Sequence, residues 1–214
     1  MTTLQTLATL TLLVISGYIA VSVSWSGLLA NKRQQHLLFG FTALLFFMWI
    51  FRAGIFEGLN VHFLWLTALT LTLGFRWAVL AGLIALVGVT FSGNESWHML
   101  GVNGLIGVLM PVSVSYLIFM LAFHKIPRNL FIYVFACAFF PGAMVIALKM
   151  AMMGGYYLWE GFYDWPTVRD NYLLIIPLLL FPEGLLNGMT MTLLTVYKPN
   201  LVYTFHDKFY IDGK

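Results

Sequence analysis

Charge is what this sequence has least of. Only 9% of its residues are Asp, Glu, Lys or Arg, against roughly 25% in an ordinary soluble domain. Hydrophobic residues make up 61% and the mean hydropathy is +0.89. A chain of 214 residues cannot hide that much apolar surface in a water-soluble globule, because a small globule has too much surface for its volume. The expected fold class is therefore all-α, a polytopic helical bundle in a membrane. Cysteine is nearly absent as well. The single Cys137 lies inside an apolar run, which excludes an internal disulfide and a metal site built from cysteines. No serine or cysteine nucleophile with its base, no phosphate-binding glycine loop and no zinc-protease helix can be found. No enzyme active site and no ATP site of its own is expected in this chain. The formal charge of +3 calls for no more than the cationic inner loops of a membrane protein, and no nucleic-acid partner is read from it.

What is present is a series of apolar runs, about seven in number for spans of this kind. They cover Leu4 to Leu29, Leu37 to about Ile55, Val61 to Leu73, Trp77 to Ser92, about Leu100 to Phe123, Leu130 to Gly154 and Tyr172 to Tyr197. Residues 1–214 are expected to form one integral membrane domain in contact with lipid. The first run is too long for the apolar part of a signal peptide and lacks a basic start, so it is expected to stay as a span. Lys32, Arg33, Arg76, Lys125, Arg128, Lys198, Lys208 and Lys214 fall on one set of loops, and only Arg169 and Arg52 on the other. Cationic loops stay in the cytoplasm, which puts the N-terminus outside and the C-terminus inside. The outer loops collect Glu57, Glu95, Glu160, Asp164 and Asp170 with His62 and His98. An acidic outer face raises the local concentration of cations.

The stretch from Gly58 to Pro111 organises the rest. His62 opens a run of about a dozen apolar residues, half of what a straight span needs, and the run breaks at Gly74-Phe75-Arg76. Interrupted hydrophobic segments with polar residues at their mouths are where membrane proteins place ligand sites. Imidazole and carboxylate ligands suit nickel, cobalt and zinc, so His62 and His98 with Glu57 and Glu95 are candidate metal ligands, the alternative being that the two histidines are amphipathic belt residues at the interface. Charges within hydrocarbon cost about 2.5–3.5 kcal/mol on insertion scales, so Lys149 and Glu183 are expected to pair with each other between the last two spans. A functional alternative puts Glu183, with Asn187 one turn later on the same face, on an ion pathway. Arg52 is expected to snorkel at the outer interface. Small residues at spacings of three or four, such as Ala78, Gly82, Gly101, Gly104, Gly184 and Gly188, place the bundle centre at the fourth, fifth and seventh runs.

The order of motifs resembles the substrate-capture membrane subunits of energy-coupling-factor cobalt and nickel transporters. The resemblance rests on Val61-His62-Phe63-Leu64 heading a short helix, Gly74-Phe75-Arg76-Trp77, Phe91-Ser92-Gly93, Leu100-Gly101-Val102-Asn103, Pro182-Glu183-Gly184-Leu185 and Val196-Tyr197-Lys198-Pro199-Asn200-Leu201. It implies an inner-membrane subunit that captures a divalent transition metal from outside as cargo, with no permanently bound cofactor. A scaffold membrane subunit and ATP-binding cassette subunits would act in trans. The family's ligands are an N-terminal Met-His pair and a histidine heading a short helix. The second matches His62, whereas this sequence begins Met1-Thr2-Thr3-Leu4. The expectation is that His62 with His98, Glu57 or Glu95 replaces the missing pair, or that the cargo differs. Asn103 matches the family's supporting asparagine and Glu183 its glutamate of the last span. Two further readings stay open: an accessory or sensor protein that kept the fold without the metal, and a haem- or quinone-linked redox subunit.

Overall fold

The computed structural model describes residues 1–206 and Tyr210; Lys208 and Lys214, counted above with the inner loops, lie outside the described residues. In chain order the helices are α1 (Thr3–Ser22), α2 (Trp25–Ala30), α3 (Lys32–Ile50), α4 (Leu66–Leu73), α5 (Phe75–Phe91), α6 (Trp97–Lys125), α7 (Leu130–Trp159) and α8 (Trp165–Tyr197). Of these, α1, α6, α7 and α8 are long and apolar enough to cross a membrane, and α5 is a shorter apolar helix. Among the described residues the only strand-like pairing is an antiparallel bridge between Ala53 and Val61. The expected all-helical class is what the chain adopts.

Caps explain where the helices begin. Thr2 Oγ1 accepts from the Gln5 backbone N–H (3.2 Å) while Gln5 Oε1 accepts from the Thr2 N–H (2.9 Å), a reciprocal box that opens α1. The expected first run to Leu29 is split, because Ser24 caps a new start by accepting from Gly27 N–H at 3.1 Å. Asn31 does the same for α3 through Gln34 N–H (3.1 Å). Two wide π-turns, Leu105–Leu109 in α6 and Tyr133–Phe139 in α7, each stand immediately before a Met-Pro or Phe-Pro step, at Pro111 and Pro141. A proline ring clashes with the carbonyl four residues back and removes one donor. A widened turn just before it absorbs that clash without breaking the helix.

The bundle centre is α4, not the fourth, fifth and seventh runs that the small residues pointed to. All eight residues of Leu66–Leu73 are buried, enclosed by α5, α6, α7 and α8. An eight-residue helix leaves half of its backbone groups without intrahelical partners, and inside a membrane no water supplies them. Protein groups do so at both ends. At the C-terminal end, Tyr203 N–H donates to Thr72 O (3.0 Å), while Thr204 N–H and Oγ1 donate to Leu71 O at 3.2 and 2.8 Å. At the N-terminal end, Leu64 and Trp65 donate to Glu183, and Ala68 N–H donates to Asn187 Oδ1 (2.8 Å). Side-chain hydroxyls within α4 are satisfied too, Thr67 by Ser115 at 2.8 Å and Thr72 by Ala68 O at 2.7 Å.

The turn from α4 into α5 runs through Gly74, at φ 77° and ψ 165°. That region is essentially reserved for glycine, and a Cβ there would meet the Tyr203 ring at 3.0 Å. Gly74→Ala is expected to lower stability by about 1–3 kcal/mol, read as a loss of thermal stability of the purified chain in detergent. An unchanged midpoint would show that this turn has another accessible geometry.

Candidate functional site

After Ile50 the chain leaves the helix and stays non-helical to Trp65, so the expected second span stops five residues short of Ile55. Ala53 and Val61 exchange backbone hydrogen bonds at 2.9 and 2.8 Å, which folds residues 53–61 into a closed loop. Gly58 at φ 80° forms its tip, where a Cβ would meet the Tyr157 ring carbon Cζ at 2.7 Å. His62 therefore lies in the non-helical segment before α4 and not on its first turn, since α4 starts at Leu66. The reason is Trp65, whose left-handed conformation (φ 54°) turns the amides of Leu64 and Trp65 onto a carboxylate. This Trp65 geometry is costly for a non-glycine residue. It is held by N–H donation to Glu183 Oε1 (2.7 Å) and Nε1–H donation to Thr190 Oγ1 (2.8 Å).

Two cavities flank the loop. The outer one, a vestibule of about 780 Å³, is lined by Glu57, Glu95, His98, Met99, Tyr157 and Tyr163, among others. The inner one holds about 20 Å³ and is lined by Trp49, Arg52, His62, Glu95, Asn103 and Lys149, among others. That volume is room for about one water molecule. Gly58, Asn60 and Glu95 line both cavities. Glu95 sits between the two spaces.

The candidate residues take distinct places around these cavities. His62 packs its ring against Trp49 with centroids 5.4 Å apart, and its Nδ1 lies 3.1 Å from Phe63 O. With Nδ1–H donated to that carbonyl, Nε2 is the nitrogen left for a ligand. Glu95 is held by Arg52 on one oxygen and accepts from Asn103 Nδ2 (2.8 Å) on the other. Asn103 therefore supports Glu95. Arg52 does not snorkel; its guanidinium turns inward, donating to Trp49 O at 3.1 and 2.9 Å and to Asn94 O at 3.1 Å. Glu57 and His98 are exposed on the vestibule wall. Among the described residues no three His, Cys, Asp or Glu side chains converge as a ready metal-holding group.

Lys149 and Glu183 do not meet. Buried Lys149 donates to Tyr172 Oη (3.4 Å) and lines the inner cavity. Glu183, fully buried, accepts from Leu64 N–H at 2.8 Å, Trp65 N–H at 2.7 Å and Asn187 Nδ2 at 2.8 Å. The backbone amides just before α4 claim the carboxylate instead. Neither Glu183 nor Asn187 lines the vestibule or the inner cavity. They anchor the backbone at Leu64, Trp65 and Ala68, just after His62 in the chain. Residue-by-residue reading missed Arg52 as the partner of Glu95. A signal was present, since opposite charges followed two runs whose ends alternation puts on the same side.

No curated protein and no solved structure matches this chain. A family model described as the cobalt uptake substrate-specific transmembrane region matches residues 3–201, a range that takes in α1 to α8, the loop bearing His62 and all of the inner cavity's lining. With nearly the whole chain covered, this all-helical membrane protein belongs to that cobalt uptake family, as a transport component and not an enzyme.

Proposed function

We propose that the chain is the substrate-capture subunit of an energy-coupling-factor-type uptake system for cobalt, nickel or a similar divalent transition metal. It takes the ion from the outer face of a bacterial inner membrane, and a scaffold membrane subunit with ATP-binding cassette subunits in trans drives delivery inward. The observation that carries the reading is the position of Glu95, which lines both the vestibule and the small cavity where His62 lies. Glu57, Glu95 and His98 give the vestibule carboxylate and imidazole groups that attract a hydrated divalent ion. Passage inward exchanges water for Glu95 and His62 Nε2, with Asn103 holding the carboxylate in place. Reorientation of the bundle, driven by the partner ATPase, would then release the ion on the other side.

Calorimetric titration of the detergent-purified chain with cobalt(II), nickel(II) and zinc(II) tests this. Saturable binding by at least one of the three is expected, weakened at least about tenfold in both His62→Ala and Glu95→Gln, as losing one ligand of few should do. Binding that neither substitution changes would place the metal elsewhere. Absence of binding in the wild-type chain would withdraw metal capture.

A further inference from the structure

The inner cavity has the wrong charge for a divalent cation. Its charged lining side chains among the described residues are Arg52, Lys149 and Glu95, so with His62 neutral the wall carries one positive charge in excess. Arg52 is committed: it is paired with Glu95 and bonded to two backbone carbonyls. Lys149 is not. It projects from α7 beside Met153 into a space that holds about one water molecule. Only 7% of it is exposed, and among the described residues its ammonium, with three donors, makes one long hydrogen bond, to Tyr172 Oη at 3.4 Å. A buried ammonium so lightly held, on a flexible four-carbon stem, is a movable charge. A divalent ion brought between His62 and Glu95 would be repelled by it through a low-dielectric interior, where such repulsion is strong.

We propose that Lys149 is a tethered cation that keeps the cargo position closed, holding beside Glu95 and His62 the charge that a divalent metal would bring. The ion enters the inner cavity only as Lys149 withdraws from it. Lys149 is thus a specificity-determining residue: it sets a threshold that weakly held ions do not cross. The inference rests on the reading that His62 and Glu95 receive a metal, and it goes beyond that reading in naming what opposes the metal.

The test is titration of the full chain in detergent with cobalt(II), nickel(II) and zinc(II), comparing wild type, Lys149→Met and Lys149→Met with Glu95→Gln. Methionine keeps the length and removes the charge, and uncharged replacements of similar volume are often tolerated at buried charged sites. Lys149→Gln, which keeps a donor for Tyr172, serves if the methionine variant fails to fold. The neutral variant is expected to bind at least one ion at least about tenfold more tightly than wild type, with the gain lost when Glu95→Gln is added. Equal affinity in wild type and the neutral variant would overturn the tether while leaving metal capture standing. A gain that survives Glu95→Gln would also overturn it, since the ion would then sit elsewhere. No binding by either protein would overturn both the tether and the capture reading.

Discussion

Glu183→Ala is expected to destabilise the protein by about 2–6 kcal/mol, the cost of leaving two buried backbone donors without an acceptor at about 1–3 kcal/mol each. Glu183 is fully buried, and its two oxygens satisfy the Leu64 and Trp65 amides and the Asn187 side chain. Removing the carboxylate leaves two buried backbone donors with no acceptor and no water at hand, each worth about 1–3 kcal/mol. The left-handed turn at Trp65 then loses what holds it, and the His62 segment loses its anchor. Glu183→Gln separates this role from packing. The carboxamide has nearly the same shape but only one accepting oxygen, so one backbone N–H would face an NH₂ group, at a cost of about 1–3 kcal/mol. Unfolding in detergent or mixed micelles measures both variants, and metal titration shows whether His62 is displaced with them. If Glu183→Gln were as stable as wild type, the carboxylate would be a packing group and would not be what anchors the start of α4.

The same contacts explain how far the sequence could be read. The apolar runs and the break at Gly74 depend on neighbours a few residues away. They were legible because helix periodicity and a glycine interruption are local. The start of α4 was not. A run beginning at Val61 looks like a helix from its first residue, yet residues 61–65 stay out of the helix, with the Leu64 and Trp65 amides claimed by a carboxylate 119 and 118 positions away. Pattern reading found Glu183 and Asn187 as buried polar residues on one face but offered Lys149 as the partner. Counter-charge is an obvious way to satisfy a buried carboxylate, and backbone amides leave no mark in composition. Arg52 was misplaced for a related reason. Snorkelling assumes that a helix continues to the interface, whereas α3 ends at Ile50 and the chain turns inward toward Glu95, 43 residues on. His62 and Glu95 were recognisable as candidates because polar residues are rare in this chain, and Asn103 through its match to the family's supporting asparagine. The sequence could not show that Glu95 would stand between two cavities, since that depends on the fold of the loop.

Opposite effects are expected from one substitution made on two helices that face each other. Gly101, at the start of α6, packs against the backbone of α1: a Cβ there would lie 2.6 Å from Thr9 Cα and closer still to the Thr9 backbone nitrogen. Backbone cannot swing away as a side chain can, so Gly101→Ala must push α1 outward. Overpacking of this kind costs about 1–3 kcal/mol. Gly17, in the interior of α1, has open space where a methyl group would stand, with nothing within 4 Å, and Gly17→Ala should instead stabilise the helix by about 0.5–1 kcal/mol through its better helix propensity. The displacement has a functional reach, because Gln5 on α1 donates to Tyr156 Oη (3.1 Å) and to Met99 Sδ (3.5 Å) beside the vestibule. Gly101→Ala should therefore lower the midpoint of thermal unfolding and also weaken metal binding, whereas Gly17→Ala raises the midpoint and leaves binding alone. If both variants shifted stability in the same direction, close contact between α1 and α6 would not be what glycine at position 101 provides. If Gly101→Ala lost stability but bound metal as wild type does, the vestibule wall would be built without α1, and α1 would serve only as a membrane anchor for the bundle.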